Sequence, residues 1–239
     1  MEFKTDALVL RATDYGENDK LLTLFTPSRG KLRAGIRGVR KPKAKLSFAA
    51  QPFCFAEYVL AEKGGRYVVT NAYLYDGFFS LRTDIVRYYA ACAVSETAEK
   101  LLVEDGESEG MFVAAAEALK NLSLTEGDAA EILLSFALSA LRESGYMIDL
   151  DGCGICGGEL GEKPYFDFAA GCFSCSACAS GTRASRSTYE FLRKCAGLSY
   201  AEEKAADGRK RALRLIRTYL AEKTEEAYPC FGEFIRLYE

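Results

Sequence analysis

Residues 53–70, FCFAEYVLAEKGGRYVVT, read as two β-strands joined by a tight turn, and that reading sets the fold of the amino-terminal third. Phe, Tyr and Val crowd 53–60 and 66–70, and such side chains suit a pleated surface. Between them Lys63-Gly64-Gly65-Arg66 supplies the two permissive residues of a hairpin loop. ALVL at 7–10 and LLTLF at 21–25 are of the same kind, and Gly16, Pro27, Gly30 and Pro52 punctuate the series. Four or five short antiparallel strands in eighty residues suit a small barrel of the OB or SH3-like kind better than a sandwich.

After about Ser80 the pattern turns helical. Residues 84–103, 109–121 and 128–144 repeat apolar positions three and four apart, as Leu133, Phe136, Ala137, Ala140 and Leu141 do in the last. Asp128 with Glu131 three residues on marks a helix start and Gly145 a stop. Helices resume at 187–195 and 208–223. The expected architecture is an α+β multidomain chain: an OB-like barrel at 1–80, then a helical domain at 81–239 interrupted by a zinc-binding insert at about 149–181.

That insert holds Cys153 and Cys156 in CGIC and Cys175 and Cys178 in CSAC, the pattern C-x2-C-x18-C-x2-C. Two thiolates two residues apart turn one knuckle toward a cation, and two knuckles complete the closed tetrahedral shell of structural Zn²⁺. Such a shell offers no open position to a substrate. Cys172 adds a further sulfur to the second cluster and competes with Cys175 or Cys178 as ligand. Cys54, Cys92, Cys195 and Cys230 read as small hydrophobes in a reducing compartment.

The chain has 239 residues, 49% of them hydrophobic, enough for one large or two smaller cores. No apolar run approaches membrane-spanning length, and the amino terminus, MEFKTDALVLRATDYG, lacks a secretory cleavage site, so a cytoplasmic protein without membrane contact is expected. Histidine is absent, which removes every Ser-His or Cys-His nucleophile pair and the usual ligands of catalytic zinc. No glycine pair belongs to a Walker-type phosphate loop. Enzymatic turnover is not expected. The net charge of −3 hides a polarised molecule: residues 1–80 hold thirteen Lys and Arg against eight Asp and Glu, and residues 81–239 hold eighteen against twenty-six.

The positive excess is concentrated in 29–45, RGKLRAGIRGVRKPKAK, inside a stretch from Lys20 to Ala56 that contains no acid. Lys31, Arg33 and Arg37 alternate with Leu32, Ala34 and Ile36, so a strand displays the cations on one face. Arg40, Lys41, Lys43 and Lys45 follow in a loop broken by Pro42. These seven cations form a candidate phosphate-binding surface for nucleic acid. Phe25, Phe48, Phe53, Phe55 and Tyr58 stand nearby, either as stacking platforms for bases or as core. A zinc-ribbon transcription or translation accessory factor with a basic barrel is the alternative class.

DYGENDKLLTLFT at 14–26, GK at 30–31, GVRKPK at 38–43 and QPF at 51–53 resemble, in order and spacing, the amino-terminal domain of the RecO family of DNA repair and recombination mediators. GCFSC at 171–175 resembles the Gly-Gly-x-x-Cys of that family, with Cys172 in place of the second glycine, which favours Cys175 as ligand. Ala44 departs from the serine common in the family's basic loop. The resemblance implies a non-catalytic protein that binds single- and double-stranded DNA, anneals strands and acts with RecR. It also implies help in loading RecA onto DNA coated by single-strand-binding protein, in the bacterial cytoplasm at the nucleoid.

On the helix at 208–223, GRKRALRLIRTYLAEK, Lys210, Arg214 and Arg217 line one stripe while Leu213, Ile216 and Leu220 line the next. A cationic rim beside an apolar groove would take an acidic tail ending in a hydrophobic anchor, which the resemblance identifies with that of single-strand-binding protein. The competing reading packs the apolar stripe into the domain's own core.

Overall fold

The computed structural model describes residues 2–104, 106–124 and 127–238. The chain forms two compact units, Met1–Thr125 and Glu126–Glu239.

In the first unit β1 (Glu2–Tyr15), β2 (Asp19–Thr26), β3 (Gly30–Ile36), β4 (Phe55–Lys63) and β5 (Arg66–Asp76) close a barrel in the order β1-β2-β3-β5-β4. The 53–70 stretch forms the expected hairpin: Lys63 pairs with Arg66 across Gly64 and Gly65, both at positive φ. β1 and β4 pair antiparallel from Glu2↔Ala61 to Leu8↔Phe55 and so remove the sheet edge. β3 meets β5 in parallel over three residues only, Ala34–Ile36 with Tyr67–Val69. This is the five-stranded barrel of the OB type. Val9, Leu22, Leu24, Leu32, Ala34, Ile36 and Leu60 fill it together with Tyr58, whose hydroxyl donates to the Ala49 carbonyl at 2.8 Å.

Two helices belong to the same unit, α1 (Ile85–Leu101) and α2 (Glu109–Ser123). The Asp84 carboxylate caps α1 by accepting from the backbone N–H groups of Val86 and Arg87. Edge-to-face contacts of Phe25 with Phe112 at 5.2 Å and of Phe53 with Tyr88 at 5.6 Å hold these helices against the barrel.

The second unit begins with α3 (Ala129–Glu143). Asp128 caps it as expected, accepting from Ala130 N at 2.8 Å. Glu131 does not complete the reciprocal capping contact; its carboxylate pairs with Lys194 and Arg209 instead. A small sheet follows, β6 (Tyr165–Asp167), β7 (Cys172–Ser174) and β8 (Thr182–Arg183), in the order β7-β6-β8. Then come α4 (Arg186–Cys195), α5 (Glu202–Ala205), α6 (Arg209–Thr224) and α7 (Pro229–Tyr238). The short α5 and the terminal α7 escape the periodicity reading. α7 is tied in where the Tyr238 hydroxyl donates to the Asp128 carboxylate at 2.8 Å, and burial is the main cause that pushes this phenol up to about 12. Among the described residues no helix is long and apolar enough to cross a membrane.

Candidate nucleic-acid interface and metal centre

Alternation along β3 buries Leu32, Ala34 and Ile36 and turns Lys31, Arg33 and Gly35 outward. Because β3 and β5 pair so briefly, a groove of about 780 Å³ opens beside them, lined by Lys20, Lys31, Arg33, Arg37 and Arg66 with Tyr15 and Tyr67. Arg40, Lys41, Lys43 and Lys45 stand apart from that groove, exposed on the loop after β3. Successive turns shape the loop, with Lys41 N donating to Gly38 O and Ala44 N to Lys41 O. The seven expected cations therefore fall into two sets, one on the groove and one on the loop.

They are not equivalent. The Lys31 ammonium donates to the Glu99 carbonyl at 3.1 Å and so serves the carboxyl end of α1, where cations are favoured. Arg40 pairs with the Asp14 carboxylate at 3.2 Å and donates to the Gly16 carbonyl, which binds the loop back to the β1–β2 turn. Among the described residues Arg33, Arg37, Lys41, Lys43, Lys45 and Arg66 have no hydrogen-bond or ion-pair partner through their side chains. Lys20 and Arg66 were not among the expected site residues. Lys20 lies in the acid-free stretch, but Arg66 reaches the groove only through the non-local β3–β5 pairing.

The aromatic candidates sort differently. Phe25, Phe53 and Tyr58 are at most 1% exposed and belong to the core, while Phe48 and Phe55 are half-buried. The open ring on the groove is Tyr15, 66% exposed.

In the second unit the sulfur atoms of Cys153, Cys156, Cys175 and Cys178 all lie within 4.8 Å of one another, close enough to hold one metal ion. The Cys156–Cys175 separation of 3.9 Å matches the edge of about 3.8 Å that a tetrahedron of metal–sulfur bonds of ~2.3 Å requires. Backbone N–H groups aim at the cluster: Cys175 N donates to Cys153 Sγ at 3.3 Å. Hydrogen bonds from the backbone at Cys156 and Cys175 lower Cys153 to about 6, and those at Cys178 and Ala177 lower Cys175. Cys178 is pushed up to about 12, chiefly by hydrogen bonding to the Cys175 sulfur. A bound dication would replace that shared proton. Cys172 is not part of the cluster; it is buried at the start of β7, and burial raises its thiol.

Phe166 and Phe173 pack edge-to-face at 4.9 Å, and they meet Tyr219 of α6 and Tyr189 of α4 at 5.8 and 5.1 Å. The small sheet thus shares an aromatic core with α4 and α6. The knuckles repeat one geometry: Gly157 N donates to Cys153 O, Ala179 N donates to Cys175 O, and both residues have positive φ. Glycine accepts that conformation freely, and alanine does so at a steric cost. Ala179→Gly is therefore expected to stabilise the second unit by about 0.5–1 kcal/mol in denaturant unfolding, offset in part by the entropy of the unfolded chain.

On α6, Lys210, Arg214 and Arg217 are exposed, whereas Leu213 and Ile216 are at most 1% exposed. The apolar groove expected beside the cations is filled by the unit's own core. Arg217 also donates to the Tyr228 carbonyl at 3.3 Å.

Comparison with known proteins places this geometry in context. Residues 1–78 match the family model described as Recombination protein O N terminal, and residues 82–229 match Recombination protein O C terminal. The DNA repair protein RecO of Desulforamulus reducens is 33% identical over 196 residues, 80% of this chain and 76% of the relative. That of Myxococcus xanthus is 32% identical over 225 residues, 92% of this chain and 91% of the relative.

Proposed function

We propose that this chain, which belongs to the RecO family of DNA repair proteins, is a non-catalytic mediator that holds DNA on its amino-terminal barrel and promotes annealing and recombinase loading. The observation that carries the reading is the set of exposed cations on the β3 groove and its loop that have no partner among the described residues: Arg33, Arg37, Arg66, Lys41, Lys43 and Lys45. Phosphate contacts hold a backbone without reading sequence, which suits a protein that must act on any gap. Annealing follows when cations screen the mutual repulsion of two strands. We take residues 1–80 as the DNA-binding domain and residues 81–239 as the helical domain.

One structural Zn²⁺ at Cys153, Cys156, Cys175 and Cys178 would supply a cross-link between the two knuckles. Four thiolates leave no coordination site for a metal-bound water, so the metal is structural in this reading. RecR and the acidic tail of single-strand-binding protein are the proposed partners, with RecA engaged indirectly. Lys210, Arg214 and Arg217 offer the tail its carboxylate contacts, while Leu213 and Ile216 hold the helix that displays them. The protein is expected in the bacterial cytoplasm, associated with the nucleoid.

The test is annealing of complementary oligonucleotides coated with single-strand-binding protein, followed with and without RecR. Acceleration by this chain that fades with rising salt is the expected result. No acceleration under any salt condition, from protein that is folded and metal-loaded, overturns the reading.

A further inference from the structure

Between α1 and α2 stands Glu104, an acid set against the start of β3, in the most basic part of the chain. Its placement is closely determined. The backbone of Glu104 bridges to Gly30 and Lys31 at the start of β3, and Ser108 N donates to Pro27 O at 3.0 Å. Gly30 has φ +55, and a Cβ there would come within 2.7 Å of the Val103 and Gly106 carbonyl oxygens. Only glycine at 30 lets this segment lie so close against β3.

The consequence is electrostatic. Glu104 lines the same groove as Lys20, Arg33, Arg37 and Arg66, yet among the described residues its carboxylate has no ion pair and no hydrogen bond. It is exposed, so it does not support the fold through its side chain. An acid that neutralised its neighbours would sit in contact with them. One that stands unpaired at the edge of a cationic track acts on whatever polyanion enters, and it acts by repulsion.

We propose that Glu104 is a specificity-determining residue of the nucleic-acid groove. It ends the phosphate track at the Gly30 end of β3, so that a bound strand engages Arg33, Arg37 and Arg66 and is turned away from the first residues of β3. The same repulsion weakens the complex and keeps the strand exchangeable. This rests on the reading that the groove holds a nucleic-acid strand.

The experiment is a salt series of single-stranded oligonucleotide binding by the full chain, using homopolymers of graded length, for wild type, Glu104→Gln, Glu104→Lys and Arg33→Ala. Glu104→Gln is expected to bind several-fold more tightly at low salt, with the gain shrinking as salt screens the site. Glu104→Lys adds a phosphate contact, so the slope of log affinity against log salt steepens by about 0.7 and the shortest oligonucleotide reaching full affinity becomes longer. Arg33→Ala loses one contact, and its slope falls by about 0.7. If Arg33→Ala weakens binding while both Glu104 variants bind with wild-type affinity, slope and length dependence, the role of Glu104 is overturned and the groove stands. If Arg33→Ala changes neither affinity nor slope, the groove itself is not the DNA site.

Discussion

Cys153→Ser or Cys178→Ser is expected to abolish binding of one metal ion per chain and to loosen the segments around the two knuckles, residues 153–158 and 175–181. Each sulfur is one corner of a single cluster, and three thiolates cannot close the shell that four close. In peptides with no other core, such a metal supplies the whole folding free energy, ~10–16 kcal/mol. Here Phe166, Phe173, Tyr189 and Tyr219 hold the sheet independently of the ion, so the second unit stays folded with frayed knuckles. A loss of about 3 kcal/mol, lowering the unfolding midpoint by roughly 10 °C, is the expected size. Elemental analysis gives the metal stoichiometry, and limited proteolysis locates the loosened segments. Cys172→Ser serves as the control, because Cys172 lies outside the cluster and should leave metal content unchanged. Equal metal loss from Cys172→Ser and Cys175→Ser would refute the ligand assignment.

Combined replacement of Arg33, Arg37, Lys41 and Lys43 by alanine is expected to reduce single-stranded DNA affinity on the order of a thousandfold at low salt. Each lost phosphate contact removes about 0.7 from the salt slope, so four remove about 2.8. The fall should be the same for unrelated sequences, because phosphates carry no base information. The fold should survive, since these side chains have no partner among the described residues. Lys31→Ala and Arg40→Ala behave differently: Lys31 is engaged with the end of α1 and Arg40 with Asp14 and Gly16, so their loss affects local structure more than the slope. Unchanged affinity and slope in the folded quadruple variant would move the DNA site off this surface.

What the sequence determined by itself was whatever depends on neighbours a few residues apart. The hairpin at Gly64-Gly65, the cap at Asp128, the alternation along β3 and the two Cys-x2-Cys knuckles are local rules, and each appears in the structure where the pattern puts it. Tertiary structure alone decided which groups remain open to solvent. The stripe of Leu213 and Ile216 reads equally well as a docking groove or as core, and burial within the second unit makes it core. Phe25, Phe53 and Tyr58 could have been stacking platforms until barrel closure and helix packing covered them. Arg66 and Glu104 reach the basic groove through pairings with β3 made across 33 and more than 70 residues of chain, separations no periodicity can carry. The physical reason is common to all of these: a side chain's type and spacing state what it can do, but burial and long-range pairing determine whether water, a ligand or another part of the chain is its neighbour.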